Sequence, residues 1–183
     1  MTEASEAGIT GGGGTDGSMK TSMKLAVSLH KFMTTINANA YVWWLGMAYQ
    51  KNTEALIWHL PESGSLTFPK LYDVMGLYSR FIRKDYQRIG ITVTNDFGLL
   101  TSAYRDPQTS KFVLVVTNPT GKEIPLKINL SGFMSGDLSN YQTTDNTIQH
   151  WGLAGKIAAD KNGVFNVKIP AMSVSTLEGK KCR

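Results

Sequence analysis

Ala40-Tyr41-Val42-Trp43-Trp44-Leu45, closed by Gly46, is a short continuous apolar run dense in aromatic and β-branched residues. That density suits a strand buried on both faces, as in a parallel sheet. Before it, Met19, Met23, Leu25, Leu29, Phe32, Met33 and Ile36 recur at three- and four-residue spacing. This spacing predicts an amphipathic helix over 19–36, with Ser18 as N-cap and Asn37 as terminator. After the run, residues 46–66 are rich in polar and turn-forming side chains and read as a long loop, a length that usually goes with function. A second helix is expected from Pro69, favoured at the first helical position, to Arg83. Leu71, Val74, Met75, Tyr78, Phe81 and Ile82 form its inner stripe, with Lys70, Asp73 and Arg80 elsewhere. Helix, buried strand, long loop, helix is the rhythm of a repeated β/α architecture.

Past Tyr86 the helical spacing stops. Arg88–Thr94, Leu99–Tyr104, Lys111–Asn118, Glu123–Leu130, Val164–Ile169 and Ser173–Leu177 read as strands, separated by turn residues such as Asn118-Pro119-Thr120-Gly121 and Lys161-Asn162-Gly163. Phe112–Val116 is the expected central strand. Ile124, Leu126, Ile128 and Leu130 alternate with polar neighbours, as in an antiparallel strand with one buried face. The expected fold class is thus α/β plus all-β. Residues 1–86 form a β/α piece and 87–183 an antiparallel β-sandwich. One parallel strand and two helices have no sheet to close against, and a complete β/α barrel takes about 250 residues. The first piece is therefore expected to be part of something larger.

Composition narrows the function classes. The 183 residues are 42% apolar and 18% charged, as in a globular chain. No apolar stretch approaches the roughly 18 residues of a membrane-spanning helix. Cys182 is alone and His30, His59 and His150 are scattered, so neither a disulfide nor a Cys/His metal site is expected. The net charge of +5 is spread along the chain, without a basic stripe interleaved with aromatics, which argues against nucleic-acid binding.

Glu3 precedes the glycine-rich stretch Gly11-Gly12-Gly13-Gly14-Thr15-Asp16-Gly17, itself followed by a helix. A strand end meeting a βα loop has this pattern, and barrel active sites lie at that face. In the run 40–46, adjacent tryptophans project to opposite sides of an extended chain. One indole can then pack inward while the other offers a flat apolar face to a sugar ring; burial of both in a core is the competing reading.

Met1-Thr2-Glu3, Ala40-Tyr41-Val42-Trp43-Trp44, Met75–Arg83 with Tyr86-Gln87-Arg88-Ile89, and Ser102-Ala103-Tyr104 with Phe112–Asn118 occur in that order. Together they resemble the C-terminal part of glycoside hydrolase family 30, in its xylanase and endo-glycanase branch, over nearly the whole chain. Ile169–Leu177 resembles the family's final sandwich strand. The resemblance implies the end of a (β/α)8 barrel (strand seven, helix seven, strand eight, helix eight) and a side β-sandwich. It implies a retaining glycosidase acting on a polysaccharide or oligosaccharide, with Glu3 as nucleophile. Trp44, and less directly Trp43, would wall the subsite beside the cleaved bond. Such a mechanism needs two carboxyl groups about 5–5.5 Å apart. The family's acid/base glutamate lies far upstream of the nucleophile, and Glu6, Asp16, Glu54 and Glu62 do not match it. The 183 residues are therefore expected to be inactive alone. Leu45–Gln50 lacks the arginines that hold a glucuronate branch in some relatives, leaving unbranched xylan, a β-1,6-glucan or a β-1,6-galactan open.

The resemblance implies no cofactor, no metal and an extracellular location, although Met1–Ser5 is not a secretory signal. Asn129-Leu130-Ser131 is a glycosylation sequon. A full-length parent is expected to be monomeric, whereas these residues alone would leave an unpaired sandwich edge prone to association. The alternative is a non-catalytic carbohydrate-binding or structural module, with Tyr141, His150 and Trp151 in a loop before the last strands as ligand contacts.

Overall fold

The computed structural model describes residues 14–94, 97–130 and 136–180. Two compact units, Met1–Met75 and Gly76–Arg183, divide inside a helix, ten residues before the change of sequence pattern at 86.

In the first unit, helix α1 spans Met19–Thr34 and buries Met19, Met23, Leu25, Ala26 and Leu29 on one face. Ser18 is at the N-cap with extended backbone, but its hydroxyl does not cap the helix. Instead that hydroxyl and the Ser18 N–H donate to Asp16, which also accepts from the Thr21 hydroxyl. These bonds, Thr21's first, hold its carboxyl below the usual carboxylate range. At the other end Asn37 takes a φ of 55°, the left-handed turn that ends the helix.

Residues 40–46 are not a strand buried on both faces. Val42 and Trp44 are exposed, whereas Tyr41, Trp43 and Leu45 are half-buried. Within this unit α1 meets the inward side: the Tyr41 hydroxyl lies 3.1 Å from Ser28 Oγ, and its ring meets Phe32 edge-on at 5.2 Å. Apolar alternation describes one packed face, and the bulk of Val42 and Trp44 made it read as two.

The expected loop at 46–66 contains a small sheet, β1 (Met47–Ala48), β2 (Ile57–Leu60) and β3 (Ser65–Thr67), in that order. β1 pairs with β2 in parallel, and β2 with β3 antiparallel. Ala48, Ala55 and Trp58 form its core, with Leu45 and Leu60 packed against them. Strands of two to four residues carry too few positions for a periodic signal.

Helix α2 covers Lys70–Ser79, with Pro69 just before it, and ends one turn earlier than expected. Leu71, Val74 and Tyr78 are buried as the stripe requires. Asp73, expected off the stripe, is also buried (1% exposed) and lies 3.6 Å from the Lys70 ammonium.

The second unit is the β-sandwich. A six-stranded sheet has the order β4-β5-β6-β11-β8-β9, formed by Gln87–Ile89, Leu100–Arg105, Lys111–Asn118, Ser173–Lys180, Asp137–Thr143 and Leu153–Ala158. All its pairings are antiparallel. β7 (Ile124–Asn129) and β10 (Val164–Ile169) form a second, two-stranded sheet. Phe112, Leu114, Val116, Leu138 and Leu177 from the large sheet meet Ile124, Ile128, Phe165, Val167 and Ile169 from the small one. The opposite face of the large sheet is covered by residues 77–81: Thr176 Oγ1 donates to the Leu77 carbonyl at 2.7 Å, and Phe81 lies 4.6 Å from Tyr141. Covered on both sides, β6 is buried at Phe112–Asn118 without alternation, which explains its unbroken apolar run.

β6 and β10 occupy the expected residues. β11 runs on to Lys180, since it pairs with β6 through Lys180↔Lys111 and Glu178 forms an ion pair with Lys111. The strand expected over 88–94 stops at Ile89, because Gly90 to Val93 leave the ladder and Ile91 and Val93 are exposed. β8 and β9 were not expected. Asp-Leu-Ser-Asn-Tyr-Gln-Thr is mostly polar, and Leu-Ala-Gly-Lys-Ile-Ala has one β-branched residue; pairing with β11 makes β8 a strand.

Candidate functional site

The double tryptophan sits where chain 14 to 58 folds back on itself. Glu54 provides the focus. Its main-chain carbonyl accepts the Trp43 indole N–H at 2.7 Å and the Leu45 N–H at 3.0 Å. The Leu56 and Ile57 N–H groups then donate to the Leu45 and Gly46 carbonyls at 3.0 and 3.1 Å. Trp43 is thereby tied inward. Trp44, next along the extended chain, is 48% exposed and joined to Leu45 by a cis peptide bond.

The turn carrying that carbonyl is shaped by Asn52. Asn52 Oδ1 accepts the Glu54 N–H at 2.8 Å, and its main-chain carbonyl accepts the Trp58 indole N–H at 2.7 Å and the Ala55 N–H at 3.1 Å. Thr53 N–H donates to the Gly14 carbonyl at 2.8 Å, which fastens the end of the glycine-rich stretch to the same turn. A side chain at Gly14 would meet the Thr53 methyl at 2.8 Å, so the approach needs glycine. The Glu54 side chain is 6% exposed, and its Oε1 has no hydrogen-bond partner. Beyond Trp44, Tyr49 is exposed and meets His59 edge-on at 5.4 Å.

Glu3 lies outside the described residues. Trp43 and Trp44 are described, one anchored and one open. Of the other carboxylates named from the sequence, Glu6 also lies outside the described residues, Asp16 is bonded to Ser18 and Thr21 at the start of α1, Glu54 is buried, and Glu62 is exposed in the turn between β2 and β3. No group of three or more His, Cys, Asp or Glu that could hold a metal ion occurs among the described residues. Asn52 reads in the sequence only as one more turn former, because its Oδ1 bond is one that many turn asparagines make and its other bonds use its main-chain carbonyl.

Tyr141, His150 and Trp151 do not share a loop. Tyr141 is on β8, half-buried beneath Phe81, whereas His150 and Trp151 lie in the turn before β9. The Arg80 guanidinium lies 5.6 Å from the Trp151 ring centre, and the indole lies against Gly76. Trp151 thus packs this turn, and Tyr141 packs β8, onto residues 76–81.

Residues 87–177 match the family model described as the glycosyl hydrolase family 30 beta sandwich domain. This half of the chain is the family 30 sandwich. Among solved structures, an endoxylanase of family 30 from Clostridium papyrosolvens C71 superposes with a TM-score of 0.77 at 27% identity, over 98% of this chain and 41% of its own. The family 30 subfamily 8 xylanase from Clostridium acetobutylicum gives 0.76 at 27%, over 98% and 42%. A family 30 xylanase catalytic domain from Talaromyces cellulolyticus shares the fold, with a TM-score of 0.73 at 19% identity over 90% and 36%. The chain spans about two fifths of the length of the two clostridial enzymes. Family 30 membership and the antiparallel sandwich expected from the sequence are both found. No described helix is long and apolar enough to cross a membrane.

Proposed function

We propose that this chain is the C-terminal part of a retaining endo-glycosidase that hydrolyses β-glycosidic bonds of a plant or microbial polysaccharide, xylan-like above all. The observation that carries the reading is the match of 98% of the chain, including residues before the sandwich, to two family 30 xylanases at 27% identity. In this reading residues 1–86 are the end of a (β/α)8 barrel and 87–183 its side domain. Glu3 is the nucleophile and Trp44 a wall of the sugar subsite beside it, with Trp43 as its anchor. An exposed indole suits the apolar C–H face of a pyranose, and its neighbour's hydrogen bond to Glu54 holds it in place.

Retention needs an attacking carboxylate and a second carboxyl that acts first as acid and then as base. Residues 1–183 supply the first, so the chain by itself binds sugar and does not turn it over. The enzyme is placed outside the cell, as the resemblance implies. Titration of the purified chain with xylohexaose tests the binding half: saturable binding lost in Trp44→Ala supports the reading, and equal binding by the variant overturns it. A reducing-sugar assay on xylan tests the other half; turnover abolished by Glu3→Gln would overturn the assigned inactivity.

A further inference from the structure

We propose that Asn52 is the positioning residue of the tryptophan pair. The inference rests on the sugar-subsite reading only for its functional consequence; its geometry stands apart from that reading. Four hydrogen bonds carry it. Asn52 Oδ1 fixes the Glu54 N–H at 2.8 Å, which orients the next carbonyl. That carbonyl takes both the Trp43 indole at 2.7 Å and the Leu45 N–H at 3.0 Å, one residue to either side of Trp44. The Asn52 carbonyl takes the Trp58 indole at 2.7 Å, and Trp58 is 5% exposed in the core of the small sheet. The turn is thereby referenced to a rigid point.

An asparagine is suited to this because its side-chain oxygen reaches the N–H two residues on, closing a turn that mimics a main-chain one. The Glu54 side chain takes no part, since the bonds use its backbone. The direction of Trp44 depends on residues 43 and 45 being held. Pre-set direction matters for a stacking platform, because the ring face must be available before the sugar arrives.

The test uses the chain 1–183 labelled with 15N at its tryptophans, with the indole N–H peaks assigned by single Trp→Phe replacements. Asn52→Ala is expected to move the Trp43 indole peak away from its hydrogen-bonded position while the Trp151 peak, in the other unit, stays. Asn52→Asp, whose carboxylate oxygen still accepts the Glu54 N–H, is expected to restore it. Loss of stability in a folded Asn52→Ala chain with an unmoved Trp43 peak would overturn the proposal, as would failure of Asn52→Asp to restore a moved one. Should Asn52→Ala not fold, Asn52→Asp and Asn52→Gly decide: the aspartate must keep the wild-type peak, and the glycine, with no side-chain oxygen to accept the Glu54 N–H, must displace it. Xylohexaose affinity is the second readout, expected to weaken about fivefold in Asn52→Ala. If Trp44→Ala leaves sugar affinity unchanged, the subsite reading fails while the peak positions still judge Asn52.

Discussion

Gly76 shows how much one hydrogen atom decides. Its Cα faces the Trp151 indole so closely that an added methyl would sit 1.7 Å from Nε1. Gly76→Ala gains helix propensity yet must expel the ring, and with it the Arg80 stacking. We expect a net loss of about 1–3 kcal/mol in urea denaturation, with a changed near-ultraviolet dichroism from Trp151. His30 sets a pH dependence. It is half-buried with Nδ1 unpartnered, and burial pushes its imidazole below the ordinary 6.5. Between its folded and unfolded pKa values the unfolded chain holds a proton that the folded chain does not. This contribution to stability is therefore complete above 6.5, is lost as pH falls through 6.5, and levels off once the folded form also protonates. The difference between wild-type and His30→Gln urea midpoints across pH 8 to 5 should follow that course; parallel profiles would refute it.

At the scale of elements, Asn118 at the end of β6 holds three segments together. Its Nδ2 donates to the carbonyls of Lys122, Ile169 and Pro170, and its Oδ1 accepts from the Thr120 N–H and hydroxyl. It is fully buried. Asn118→Ala strips partners from several buried groups at once and should cost about 2–4 kcal/mol, measured by denaturation, whereas Asn118→Asp sets a carboxylate oxygen against three carbonyls in a fully buried site and should cost at least as much. Elements were legible where side-chain periodicity and burial coincide. α1, β6, β7 and β10 each carry enough apolar positions on a defined face for the sequence to mark them. β8 is a strand because β11 and β9 lie on either side, a fact its polar residues do not carry. Residues 40–46 were misjudged for the converse reason, since large apolar side chains there include two that remain open.

For the molecule as a whole, the sandwich was readable and the surroundings of the tryptophans were not. The opposition of Trp43 and Trp44 follows from extended geometry. The clamp from Asn52 to Glu54 joins an asparagine side-chain oxygen, common in turns, to a main-chain carbonyl, which any residue possesses. Edges also matter at this scale. Among the described residues β7 pairs with β10 alone, leaving its other side without a ladder, and Pro125 is the feature that blunts it. The isolated 183-residue chain is expected to self-associate as concentration rises in sedimentation velocity, and a single monomeric species throughout would refute this.

The double covering of β6 bears on which changes the chain can survive. In β7 every second residue points to solvent, so a saturation library should show survivors and casualties in strict turn. Along Phe112–Asn118 both rows of side chains are enclosed, and the same library should return an unbroken block of intolerance. Drift between distant descendants would then erase β7 long before it blurred the inner strand, leaving those seven residues as the signature by which this sandwich stays recognisable.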